Sequence, residues 1–187
     1  MIITEKKPFE EVKKQIDKYN NIYVVSCGDC CAVCKTGGTE GAKEIIEKIQ
    51  AETGKKIPEA IVIEAPCDGR VLKRDIKRVE EQIKKSDAIL ALTCGLGAQS
   101  IHNLTGKFVV PALNTKYMGI IEGFGTGKAV CFGCDTCVLV ENDDVCPYAQ
   151  KQKCTKCGRV NASDAKMCDQ CGNASFDKLE IESCKIM

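Results

Sequence analysis

The chain has 187 residues and a formal net charge of +1, so no bulk field draws it onto nucleic acid or an anionic membrane. It contains no apolar run near the ~18 residues of a membrane helix, and its opening MIITEKKPFEEV has no apolar signal region; a cytoplasmic location is the expectation. Trp is absent and aromatics make up 5%, which weighs against base-stacking surfaces. The length suits one core domain plus something small. Fifteen cysteines in a reducing compartment read as metal ligands rather than disulfides, and such thiol clusters suit an anaerobic cytoplasm.

In chain order, Pro8 to Asn20 reads as a helix. Pro8 suits the first helical position, and Phe9, Val12, Ile16 and Tyr19 share one face. Ile22 to Val25 is a continuous run of β-formers, as in a strand buried on both faces. Gly37, Gly38 and Thr39 open the next helix, whose stripe is Ala42, Ile45, Ile46 and Ile49 and which Gly54 ends. A second strand is Ala60–Ile63. One helix follows with Leu72, Ile76, Val79 and Ile83 on one face. Its Lys73, Arg74, Lys77, Arg78, Lys84 and Lys85 stand among Glu80 and Glu81 and form a solvated face. Ala88–Leu92 is a third strand. A short helix over 98–104 leads to a fourth strand at Phe108–Val110. Strands alternating with helices predict right-handed crossovers and a parallel sheet. The expected fold is therefore α/β: a parallel-sheet, Rossmann-like domain over residues 1–120 with a cluster site at its strand ends. A ferredoxin-like [4Fe–4S] loop over 121–150 and a zinc ribbon and tail over 151–187 follow.

Cys27 comes directly after the first strand, Cys67 after the second and Cys94 after the third. Ligands of open α/β sheets bind outside the carboxyl ends of the strands, so these three cysteines should converge. The first loop adds Cys30, Cys31 and Cys34. Six thiols exceed the four that a cubane needs, and spacing alone does not choose among them, though Cys31 reads as a spare buried cysteine. A second cluster is expected here; a zinc site or free thiols are the other readings. Gly28, Gly95 and Gly97 would let backbone amides approach the cluster sulfurs.

Cys131-Phe-Gly-Cys134-Asp-Thr-Cys137, eight residues, then Cys146-Pro147 is the ferredoxin-type run. Two x₂ spacings let one loop wrap three corners of a [4Fe–4S] cluster, and the later Cys-Pro closes the fourth. Gly123, Gly125 and Gly127 read as a flexible approach to that loop rather than a dinucleotide fingerprint, since they do not link a strand to a helix. His102, the only histidine, reads as a satisfied surface residue.

Cys154-Thr-Lys-Cys157-Gly158 and Cys168-Asp-Gln-Cys171-Gly172 are paired knuckles with ten residues between Cys157 and Cys168. Four thiolates in a closed tetrahedral shell suit structural zinc. A stretch this short cannot bury enough surface to fold alone, so the metal supplies the stability.

These motifs together resemble MetV, the family of small iron–sulfur subunits of bacterial methylenetetrahydrofolate reductases. The resemblance rests on Met1–Phe9, Cys27-Gly-Asp-Cys30 through Cys34-Lys-Thr-Gly-Gly38, Glu64-Ala-Pro-Cys67-Asp68, Cys94-Gly95, Val110–Thr115 and Cys131 through Cys146-Pro147. The tail departs from the family, carrying a zinc ribbon instead of a further Gly-Pro-Cys-Gly-Gly ending. The resemblance implies a first [4Fe–4S] cluster held by four of Cys27, Cys30, Cys34, Cys67 and Cys94, and a second held by Cys131, Cys134, Cys137 and Cys146. It implies an electron-transfer subunit, itself without a catalytic residue, serving the flavin of a MetF-type catalytic subunit. Reduced ferredoxin or an NADH-oxidising flavoprotein would be the donor. The rival readings are a thiol or corrinoid-linked methyl-transfer protein and a zinc-ribbon assembly adaptor.

Overall fold

The computed structural model describes residues 1–57, 60–123, 126–131, 151–158, 160–162, 165–168, 170–179 and 184–185. They divide into two compact units, one of residues 2–116 and one running from 117 onward together with Met1. No helix among the described residues is long and apolar enough to cross a membrane.

The first unit begins with β1 (Ile2–Lys6), α1 (Phe9–Ile16) and β2 (Ile22–Cys27). Then come α2 (Cys30–Val33), α3 (Gly38–Thr53), β3 (Ala60–Ile63), α4 (Gly69–Arg78) and α5 (Glu80–Lys85). It closes with β4 (Ala88–Leu92), α6 (Gly95–Thr105) and β5 (Phe108–Pro111). The four apolar runs of the sequence form one parallel sheet in the order β3-β2-β4-β5. Every residue of the two central strands is buried, whereas the edge strands are part-exposed. That is why the central runs are continuously apolar.

Side chains alternate across the sheet with period two. Val24, Leu90, Leu92 and Val110 pack with Val12 and Ile16 of α1 and Ala42 and Ile49 of α3. Tyr23, Val25, Ile63, Ile89 and Ala91 pack on the other face with Leu72, Ile76, Ile83 and Ile101. Each such Val, Leu or Ile contributes about 1.5–3 kcal/mol by leaving water. The chain steps from β2 one way to β3, then back across to β4 and onward to β5. Right-handed crossovers that reverse direction must change face, so α3 covers one side and α4, α5 and α6 the other. The reversal lies between β2 and β4, the place where open sheets of this kind bind their ligands.

Two local features were not in the sequence reading. The helix read as continuous through Val79 is two helices: Val79 has φ −125° and ψ 22°, closing α4 and opening α5. Ile2–Lys6 is also a strand; Lys116 pairs with its Glu5 at 3.0 Å.

β6 (Leu113–Gly123) runs on from the first unit and pairs antiparallel with β7 (Thr126–Cys131), Ile120 facing Lys128. The glycine-rich approach is thus largely strand. Further along are β8 (Lys151–Cys154), β9 (Val160–Ala162), β10 (Phe176–Leu179) and β11 (Cys184–Lys185). β8 is the centre of a three-stranded antiparallel sheet, with β9 and β10 on its sides.

Candidate metal centres

In the first unit, Cys27 is the last residue of β2, and Gly28 keeps the exit tied to the neighbouring strand by donating to the Ile63 carbonyl at 2.8 Å. One turn of helix then carries Cys30 and Cys31 and ends at Cys34. The Cys31 carbonyl anchors the return, accepting from the amides of Thr36 and Gly37 at 2.9 Å and from the Thr36 hydroxyl at 3.1 Å. Gly37 is needed for that path: a Cβ there would stand 2.8 Å from Cys31 Cβ and 3.0 Å from the Leu92 carbonyl oxygen.

Cys67 follows β3 and precedes Asp68, whose side chain caps α4 by accepting from the Arg70 amide at 2.9 Å. Cys94 precedes α6, where the Gly95 amide donates to Thr115 Oγ1 at 2.8 Å. A Cβ on Gly97 would meet Thr93 Cβ at 2.9 Å and Pro66 Cγ at 3.2 Å. The absence of that carbon lets the loops after β3 and β4 close on each other, which brings Cys67 and Cys94 together. Both cysteines lie at helix N-termini, whose dipoles favour negative charge.

The thiols influence one another. A hydrogen bond from the Cys31 thiol holds Cys27 down to about 6 against the opposing effect of burial. Giving that bond, and being buried, pushes the Cys31 thiol far up. Burial raises Cys67, and the neighbouring charges of Cys94 and Cys27 raise it further. Burial also raises Cys30, as do Asp29 and Cys27. The Cys34 thiol faces the Ile2 carbonyl at 3.8 Å. No three of these sulfurs come within the 4.8 Å spread of a single-ion site; a multinuclear cluster spaces its thiolates more widely.

The second unit holds a tighter group. The sulfurs of Cys154, Cys157, Cys168 and Cys171 lie within 4.8 Å of one another and can hold a metal ion. Cys154 ends β8, Cys157 lies in the turn toward β9, and the other pair comes from the loop between β9 and β10. In each knuckle a glycine amide returns to the first cysteine's carbonyl at 2.9 Å, Gly158 to Cys154 and Gly172 to Cys168. Both glycines have positive φ, 75° and 69°, which side chains resist. Burial opposes the Cys154 thiolate, but the Cys157 amide and the Asn173 side chain donate to it and bring it to about 6. Asn173 Nδ2 lies 3.4 Å from that sulfur. The sequence reading did not single out Asn173 or the Cys31 hydrogen bond; Asn173 follows Gly172 directly, the only signal available.

Cys131 is the exposed last residue of β7. Cys134, Cys137 and Cys146, its expected partners, lie outside the described residues. His102 faces the Lys107 carbonyl at 2.8 Å and is satisfied there.

Fold and sites define an α/β protein with cysteines at successive strand ends of a parallel sheet and a four-cysteine group that can hold a metal ion on a small antiparallel sheet. No family model matches the chain, and neither a curated protein nor a solved structure does.

Proposed function

We propose that this chain is the electron-transfer iron–sulfur subunit of a methylenetetrahydrofolate reductase complex. In this reading it carries two [4Fe–4S] clusters and one zinc. It passes electrons between ferredoxin or an NADH-oxidising flavoprotein and the flavin of a MetF-type catalytic subunit. The observation that carries the reading is that cysteines leave three neighbouring strand ends, β2, β3 and β4, next to the point where the sheet order reverses. That is where an open α/β sheet binds its ligand, and thiols alone are the donor set of an iron–sulfur cluster. Clusters bound here supply one-electron chemistry at low potential. The chain's part is to hold them, bury them and aim hydrogen bonds at their sulfurs, while hydride chemistry belongs to the partner's flavin.

In this reading the second unit binds zinc, and the spacing of its sulfurs supports a tetrahedral single-ion site. Sulfurs about 2.3 Å from a tetrahedral zinc stand about 3.8 Å apart. The Cys154–Cys171 and Cys157–Cys168 pairs are each 3.6 Å apart. Zinc has no redox chemistry, so this site staples the small sheet.

The test is metal analysis and electron paramagnetic resonance on anaerobically purified, dithionite-reduced protein. About eight iron and one zinc per chain, with signals from two reduced clusters, are expected. About four iron would return the strand-end cysteines to thiol chemistry, and iron-free protein with extra zinc would leave a structural adaptor.

A further inference from the structure

Resting on the cluster assigned to the strand ends, we propose that its four ligands are Cys27, Cys30, Cys67 and Cys94, and that Cys34 and Cys31 are not among them. Space decides it. A cubane is far larger than a water molecule, so a thiol that ligates one must border room that water can reach in the empty protein. Cys27 and Cys94 keep 5% and 7% of their surface accessible. Cys30 is half-buried and Cys67 exposed. Cys31 and Cys34 have 0%: no water-sized space touches either, and nothing larger can sit against their sulfurs without moving the core.

Position in the fold gives the same division. Cys34 closes the α2 turn and is enclosed there. Cys31 sits under the turn, belongs to the buried core beneath α3 and packs where a Gly37 side chain would be. The other four leave three strand ends of one sheet. Cys27 and Cys30 come from the loop after β2, Cys67 from the loop after β3, and Cys94 from the loop after β4, which Pro66 and Gly97 draw against the β3 loop. Three strand ends thus supply the four thiolates of a cubane, with Asp29 beside Cys30, its carboxylate 3.7 Å from that sulfur.

The full chain is purified anaerobically as single alanine variants, and iron, acid-labile sulfide and the resonance spectrum of the reduced protein are read. Cys30→Ala and Cys67→Ala, both at accessible positions, should each drop iron from about eight to about four per chain and delete one cluster's signal. Cys34→Ala and Cys31→Ala should keep about eight. A Cys30→Ala protein that keeps about eight iron overturns the proposal, whatever the buried variants do. Wild-type protein with about four iron, unchanged in Cys27→Ala, would instead fail the reading that a cluster sits at the strand ends at all.

Discussion

The strand ends of the first unit and the knuckles of the second present thiols in opposite ways. The knuckle thiols come from two short loops within 18 residues of chain, and their sulfurs are gathered to the spacing of a single ion. The strand-end thiols come from three loops spread over residues 27 to 94, held apart on the frame of a packed sheet. The four-stranded sheet is buried on both faces by helices; a small sheet around a four-thiol group that can hold an ion is the kind that gains its stability from a metal.

The sharpest way to break this contrast is Cys168→Ser. Structural metal sites of this kind contribute on the order of 10–16 kcal/mol of apparent binding. The variant should therefore lose its zinc and the amide-exchange protection of β8–β10, with residues 2–116 unchanged. Protection that survives without metal would show the small sheet to be self-sufficient. The converse variant is Leu90→Ala, which opens a cavity at a fully buried position in the central strand. It should cost about 2–5 kcal/mol in thermal unfolding of the first unit and leave the zinc content at one per chain.

Gly37→Ala tests how closely the loop after β2 is fitted. With its new carbon 2.8 Å from Cys31 Cβ and 3.0 Å from the Leu92 carbonyl, about 1–3 kcal/mol of overpacking is expected, together with loss of the strand-end iron. Retained iron and unchanged stability would mean that the loop can give way. Asn173→Ala removes the donor to Cys154 and should weaken zinc about 10–100-fold, read by competition with a chelator. The smallest effect is electrostatic. A hydrogen bond from Arg74 holds the Asp75 carboxyl below its ordinary value. The stabilisation it gives is present above the usual carboxylate range and fades as pH falls through the lowered native value. Because Arg74 is largely exposed, less than about 1 kcal/mol is at stake. Asp75→Asn should flatten the acid limb of the first unit's stability curve and leave the second unit's curve as it was.

The difference in range also explains what the sequence could reveal. The knuckles were legible because their chemistry is local: two C-x₂-C-G turns name their own ligands. The four parallel strands were legible because Ile22–Val25, Ala60–Ile63, Ala88–Leu92 and Phe108–Val110 are runs of β-formers with helical stripes between them. Ile2–Lys6 was missed because half of it is polar and its partner, β6, lies more than a hundred residues away. The break at Val79 was missed because Leu72, Ile76 and Ile83 face the same core on either side of it. The hairpin of β6 and β7 was hidden by its glycines, which read as loop.

By itself the sequence determined the fold class, the positions at which cysteines leave the strands and the identity of the four-thiol group, because these depend on residue type and spacing alone. Only the tertiary structure decided the strand order, and with it which loops leave neighbouring strands. It alone separated Cys31 and Cys34, at 0% exposure, from Cys27, Cys30, Cys67 and Cys94, which keep some surface within reach of solvent. Enclosure is a property of everything packed around a side chain, and neighbours in sequence supply little of it.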